Sequence, residues 1–194
     1  MQFYLIRHPK PLDVLGLCYG RKDVAVATTE TSAAAVSVRQ QLPPSLLQNT
    51  IIYTSPLSRC ATLARALAPQ YPQIVDQDLI EMDFGSWEGL AWNAIPQDQL
   101  DGWAEDLLCY RPGGGENAHA VTARWRNFVK RMRRTRCDTV IAVTHAGIIR
   151  VALAQAAQRA LSEVAQLRIE FASVHCVAVS NAEHTSIKRP RVRA

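Results

Sequence analysis

The sequence predicts an α/β sandwich, on three observations. Short, almost wholly apolar runs at Phe3 to Ile6, Thr139 to Thr144 and Val174 to Val179 have the composition of buried strands. Stretches of helical periodicity alternate with them. The resulting order is strand, helix, strand, helix, excursion, helix, strand, helix, strand, which fits helices packed on a shared sheet. At 194 residues, the chain is long enough to bury one core and reads as a single domain over 1–194.

Taken in order, the first strand ends at Arg7-His8-Pro9, where proline cannot continue a ladder. Residues 9 to 27 hold Pro9, Pro11, Gly16 and Gly20 and read as a loop. An alanine-rich helix is predicted from about Thr29 to Leu42, stopped by Pro43-Pro44. Asn49 to Tyr53 reads as a second buried strand. Ser55 then reads as the N-cap of a helix with Pro56 at its first position and an apolar stripe of Cys60, Leu63, Ala64 and Leu67. Ile74-Val75 suggests a short edge strand. The span 76–115 is an irregular, cap-like excursion with one or two short helices and the aromatics Phe84, Trp87, Trp92 and Trp103. Pro112 to Glu116 is a turn into the best helix, where Ala118, Val121, Trp125, Phe128, Val129 and Met132 recur at helical spacing. Thr139 to Thr144 ends at His145, and Gly147 is expected to precede a helix running to about Ala157. Val174 to Val179 is expected to be the last strand, with 182–194 a basic C-terminal extension.

Composition excludes several classes. Hydrophobic residues at 48% and charged residues at 20% are ordinary globular values and argue against a disordered or collagen-like chain. No run approaches the roughly 18 apolar residues of a membrane span, and the first residues lack the pattern of a secretory leader. Five scattered cysteines with no CxxC pair point to free thiols and a cytoplasmic setting, not a disulfide framework or zinc site. The net charge of +5 gathers around Arg124 to Arg136 and in Lys188 to Arg193. Without a nucleic-acid-binding motif, it reads as a solvated helix face and a basic extension.

The chemistry is concentrated at the strand ends. Open α/β sheets bind ligands beyond the carboxyl ends of their strands. Three such ends here lead to Arg7 and His8, to Ser55 and Arg59, and to His145. Two arginines and two histidines converging on one crevice suit phosphoryl transfer. Guanidinium forks match phosphate oxygens, and a neutral imidazole can attack phosphorus. Nearby arginines help to keep that imidazole unprotonated. An acid must then protonate the leaving alkoxide. Glu81 sits in an apolar and aromatic stretch, and Asp83 and Glu88 rival it.

These segments resemble the histidine phosphatase (phosphoglycerate mutase-like) superfamily. Leu5-Ile6-Arg7-His8, Thr54 to Thr62, Glu81 to Gly89, Gly114-Gly115-Glu116 and Thr144-His145-Ala146-Gly147 match that family's motifs in order. The resemblance implies a three-layer α/β/α sandwich with a central, mostly parallel sheet. It implies His8 as nucleophile, and Arg7, Arg59, His145 and the amide of Ala146 around the phosphoryl group. Glu81 becomes the proton donor and later the base. No cofactor or metal is implied, and the expected partner is a small phosphomonoester rather than nucleic acid or membrane. Family members include monomers and homodimers.

The sequence departs from the family after His8. Pro9-Lys10-Pro11-Leu12-Asp13-Val14 stands where the family has glycine, a polar residue and, further on, an asparagine that contacts phosphate. Lys10 and Arg21 are candidates to complete the pocket, against the plainer reading that each faces solvent. The combination of Arg7 to Pro11, Cys18 to Asp23 and Glu81 to Gly85 looks most like bacterial proteins assigned as α-ribazole-5′-phosphate phosphatases. A broad small-molecule or phosphoprotein phosphatase is the alternative, with a mutase or a silent phosphate-binding protein behind it. Tyr19, Phe84, Trp87, Trp92, Trp103 and Tyr110 are candidate walls for a substrate base, against the reading that most of the tryptophans pack the excursion onto the domain.

Overall fold

The computed structural model describes residues 1–48, 50–135, 137–179 and 185–187. Its centre is a six-stranded sheet in the order β3-β2-β4-β1-β5-β6. Strands β1 (Gln2–Arg7), β2 (Ile52–Thr54), β3 (Gln73–Val75) and β4 (Thr139–Thr144) run parallel, and β5 (Val174–Val179) pairs antiparallel with β1. Val174–Val179 is not the last strand, contrary to expectation. Thr185–Ile187 form β6, antiparallel to β5, so three residues of the expected extension join the sheet. The charge run Lys188 to Arg193 lies outside the described residues.

Alternation along the central strands builds two cores, because successive side chains point to opposite faces. Phe3, Leu5, Val140 and Ala142 face the helices α4 (Ala118–Met132) and α5 (Ala146–Ala157). Ile6, Ile141 and Val143 face α1 (Thr28–Gln41) and α2 (Ser58–Leu67). The sheet is thus covered on both faces, as a mostly parallel sheet requires. None of these helices is long and apolar enough to cross a membrane.

Two helix starts differ from expectation. Helix α2 begins at Ser58 with Leu57 as its N-cap residue, not at Pro56. Ser55 Oγ instead accepts a hydrogen bond from the Leu57 amide within the turn before the helix. Gly147 lies in the first turn of α5, behind an N-cap at His145.

The excursion holds α3 (Gln97–Glu105), with short 3₁₀ turns around it, before α4. Cys18, Trp87 and Ile95 form a third buried cluster there, flanked by Phe84, Trp92, Trp103 and Tyr110. The segment after Glu81 is backed by the turn Pro112–Gly114, where Gly113 adopts a φ of 56°. A β-carbon on Gly113 would stand 2.2 Å from the Phe84 carbonyl, so backbone packs directly on backbone.

Strand register brings the site together. Arg7 pairs with Thr144, and Thr54 pairs with Val143. The residues just past β1, β2 and β4, namely His8, Ser55 and His145, therefore emerge side by side at one end of the sheet. The His8 amide donates to the Thr144 carbonyl (3.1 Å) and the Ser55 amide to the Val143 carbonyl (3.0 Å), which extends the ladder to the site.

Candidate active site

His8 and His145 meet at the sheet end with ring centroids 5.1 Å apart. His8 is 2% exposed. Its Nδ1 lies 2.7 Å from the Pro9 carbonyl. A carbonyl only accepts, so Nδ1 carries the proton and Nε2 keeps its lone pair. Burial first, then the Arg59 and Arg7 charges, push the His8 pKa down to about 3 against a partial offset from the Pro9 hydrogen bond. The imidazole is therefore neutral throughout the physiological range.

His145 is fully buried, and burial, with His8 and the arginines around it, holds its pKa well below the usual histidine range. Its Nε2 lies 2.8 Å from Ser55 Oγ and 3.4 Å from Cys60 Sγ. The Cys60 thiol, pushed up by burial, also donates to the Thr144 carbonyl. Sequence reading placed Ser55 at a helix cap and Cys60 on an apolar stripe. Their contacts with His145 span 90 and 85 residues and leave no local signal.

Arg59 is 1% exposed and reaches from α2 to the loop 9–27. Its Nη1 donates to the Lys22 carbonyl (2.8 Å) and Nη2 to the Gly20 carbonyl (2.6 Å), while the guanidinium stands 5.5 Å from the Tyr19 ring centroid. Arg7 donates to the Ile169 carbonyl and lies 3.8 Å from the Phe171 ring centroid. Phe171 also packs on His8. The Nε atoms of Arg7 and Arg59 are both buried with no hydrogen-bond partner among the described residues. Buried donors are rarely left so, and two beside two neutral imidazoles make a seat for an anion.

Glu81 is half-buried on the far side. One carboxylate oxygen accepts from the Met82 amide (3.0 Å) and the other from the Gly147 amide (3.2 Å) at the positive start of α5. A β-carbon on Gly147 would stand 2.3 Å from Glu81 Oε1, so only glycine admits the carboxylate there undisturbed. Two arginines fix the backbone beneath it. Arg124 donates to the carbonyls of Asp78, Ile80 and Glu81 and forms a two-pronged ion pair with Glu116.

Arg21 completes that network. It pairs with Glu116 at 2.8 Å and with Asp83 at 3.6 Å, and it reaches the Glu81 carbonyl. Its guanidinium is thus committed to protein carboxylates. The rival carboxylates are committed too. Glu88 accepts from the amides of Arg21, Lys22 and Phe84, and Asp83 from Gly85. Both brace the loops.

The other candidates divide. Lys10 is exposed. Trp87, 1% exposed, donates through Nε1 to Gln99 and belongs to the excursion's core. Phe84 lines a cavity that opens beside Glu81. Ala146 starts α5, where the first amides of a helix have no intrahelical acceptor. Among the described residues, no group of three or more His, Cys, Asp or Glu side chains is placed to hold a metal ion.

Comparison with known proteins places the fold among phosphatases of the same architecture. The chain resembles the α-ribazole phosphatase of Shigella flexneri in structure, with a TM-score of 0.82 and 21% identity over 100% of this chain and 98% of that one. A mycobacterial glucosyl-3-phosphoglycerate phosphatase gives 0.78 at 23% identity, covering 91% and 92%. A phosphoserine phosphatase from Entamoeba histolytica gives 0.78 at 18% identity, covering 99% and 97%. In sequence, a Mycobacterium tuberculosis bifunctional protein is 30% identical over 138 residues, which cover 63% of this chain and 35% of that protein. The chain spans about a third of the length of such curated relatives. The family model for the histidine phosphatase superfamily (branch 1) matches residues 3–190. With that match running through both histidines and both arginines of the sheet end, the chain belongs to the histidine phosphatase superfamily, branch 1.

Proposed function

We propose that the protein is a cytoplasmic enzyme that hydrolyses small phosphomonoesters through a phosphohistidine on His8, needing neither metal nor cofactor, with α-ribazole-5′-phosphate as its substrate. The observation that carries the chemistry is the neutral His8 ring. Its Nδ1 is held by the Pro9 carbonyl, and two buried arginine Nε donors without partners among the described residues flank it.

In the first step, His8 Nε2 attacks phosphorus and the bond from phosphorus to the ester oxygen breaks. Arg7, Arg59, His145 and the Ala146 amide hold the phosphoryl oxygens, whose charge is stabilised by donors already in place. Glu81 gives its proton to the leaving alkoxide. In the second step, the Glu81 carboxylate takes a proton from water, whose oxygen attacks phosphorus. The N–P bond then breaks, releasing phosphate and restoring neutral His8.

Three things support the narrower substrate: the resemblance of the Arg7 to Pro11 and Cys18 to Asp23 segments, the likeness to the Shigella flexneri structure over nearly both whole chains, and a largely apolar cavity beside Glu81. The test is kcat/KM without added metal for α-ribazole-5′-phosphate beside 5′-AMP, 3-phosphoglycerate and p-nitrophenyl phosphate. A preference of about a hundredfold, some 2.7 kcal/mol, is expected for α-ribazole-5′-phosphate. A flat profile would withdraw that substrate in favour of a broad-specificity phosphatase.

A further inference from the structure

Beside Glu81 lies a cavity of about 380 Å³, within the roughly 300–1,000 Å³ of small-molecule pockets. Its wall is largely apolar, with Phe84, Trp103, Val121 and Leu161 among the lining residues. Two charged side chains face into it, Glu81 and Arg150. Arg150 stands three residues after Gly147 on α5, and so on the same helix face as the amide that holds Glu81.

Arg150 is half-buried, and burial lowers its pKa while Glu81 opposes that shift. Its Nε donates to the Leu167 carbonyl at 3.1 Å, the one hydrogen bond it makes among the described residues. The two Nη groups are therefore left without an acceptor among the described residues. A guanidinium fork in an apolar wall is partly stripped of water and gains most from an acceptor brought by a ligand.

We infer that Arg150 is a specificity-determining residue: the cavity takes the alcohol half of the phosphomonoester, that alcohol carries an apolar ring system, and Arg150 donates to a hydrogen-bond acceptor on the ring. The inference rests on the phosphatase reading above. A small polar alcohol such as glycerate or serine would leave most of the apolar wall wet. A fused ring without an acceptor would fill the wall but leave the fork unpaired, which is the stronger basis for rejection, because polar groups left unpaired in a pocket are costly. The acceptor is either a neutral ring nitrogen or a carboxylate.

The test uses the full chain and three esters of similar shape: 1-naphthyl phosphate, 5-quinolinyl phosphate and 5-carboxy-1-naphthyl phosphate. For each, kcat/KM is compared between the wild type and Arg150→Met, so that differences in leaving-group basicity cancel. A loss of about tenfold or more is expected on at least one acceptor-bearing ester, with less than about threefold on 1-naphthyl phosphate. The quinolinyl and carboxynaphthyl arms tell a neutral acceptor from an anionic one. Equal loss on all three esters, or none, would overturn the inference.

A second variant works without touching Arg150. Ala104 is exposed at the cavity rim on α3, and Ala104→Trp fills the cavity from outside the core. It should lower the ratio of 1-naphthyl to ethyl phosphate turnover by about tenfold, and an unchanged ratio would refute the pocket assignment. Failure of the wild type to hydrolyse any of these esters or p-nitrophenyl phosphate would instead overturn the phosphatase reading itself.

Discussion

A histidine that attacks phosphorus needs a free lone pair on one ring nitrogen, and His8 has it because the other nitrogen is engaged by the carbonyl of the next residue. His145 depends on a more distant partner. Ser55 Oγ accepts from the Leu57 amide and lies 2.8 Å from His145 Nε2, so its hydroxyl proton is left to be given to that nitrogen, an arrangement that keeps the ring proton on Nδ1. Ser55→Ala is expected to lower kcat about tenfold or more, since a wrong tautomer in a catalytic site costs far more than a lost contact. Ser55→Thr should recover most of the rate. Nitrogen-15 NMR of His145 should show mixed tautomers in the alanine variant alone, and an unchanged spectrum would refute the role. At this scale the sequence was informative where chemistry is carried by rare side chains at strand ends. Arg7, His8, Arg59 and His145 stand out that way, and the structure brings them together. Ser55, Cys60 and Phe171 do not stand out, because serine, cysteine and phenylalanine have ordinary local explanations in a turn, a helix stripe and a core.

Among the elements, α5 has the widest influence on the site. Its first turn presents the Ala146 amide and holds Glu81 through the Gly147 amide, and Arg150, just after that turn, lines the cavity. Gly147→Ala places a methyl group where Glu81 Oε1 now lies, and the flexible carboxylate rather than the backbone should yield. The expected result is a drop in kcat of about tenfold or more on an alkyl phosphate, whose leaving group needs protonation. The drop on p-nitrophenyl phosphate should be much smaller, and the melting temperature should be little changed. Equal losses on both esters would move the acid role away from Glu81. The regular elements were legible because strand alternation and helical spacing are local patterns, as in Thr139–Thr144 and Ala118–Met132. The starts of α2 and α5 were less so. Pro56 is as compatible with a turn as with a helix start, and a glycine inside a helix is explained only by the carboxylate packed against it. β6 was missed because Thr185–Ile187 is three residues long and is set by its pairing with β5.

Across the whole molecule, the site stores a charge imbalance that links function to stability. His8 has a pKa of about 3 in the fold, against 6.5 for a free side chain. Between those values the unfolded chain binds more protons than the folded one, so stability rises with pH across that interval. The contribution is complete above about pH 6.5 and is lost as pH falls, at about 1.4 kcal/mol per unit. His145 shifts in the same direction. Urea unfolding at pH 7 and pH 5 should therefore show the wild type losing about 2 kcal/mol more than His8→Ala over that step. Parallel losses would mean that His8 is not held neutral by the fold. The wiring of the excursion is a whole-molecule property too. Arg21 and Arg124 meet at Glu116 and fix the Glu81 backbone from two separate segments, an arrangement no local pattern in the sequence reveals.

The covalent phosphohistidine is the central claim, and stereochemistry at phosphorus tests it most directly. Hydrolysis in ¹⁸O-water of a phosphomonoester made chiral with sulfur and ¹⁷O, in a single-turnover reaction, reports the number of in-line displacements. Transfer to His8 and then to water comprises two inversions and so gives net retention. Net inversion would mean that water attacks the ester directly, and the account of His8 as nucleophile would be wrong.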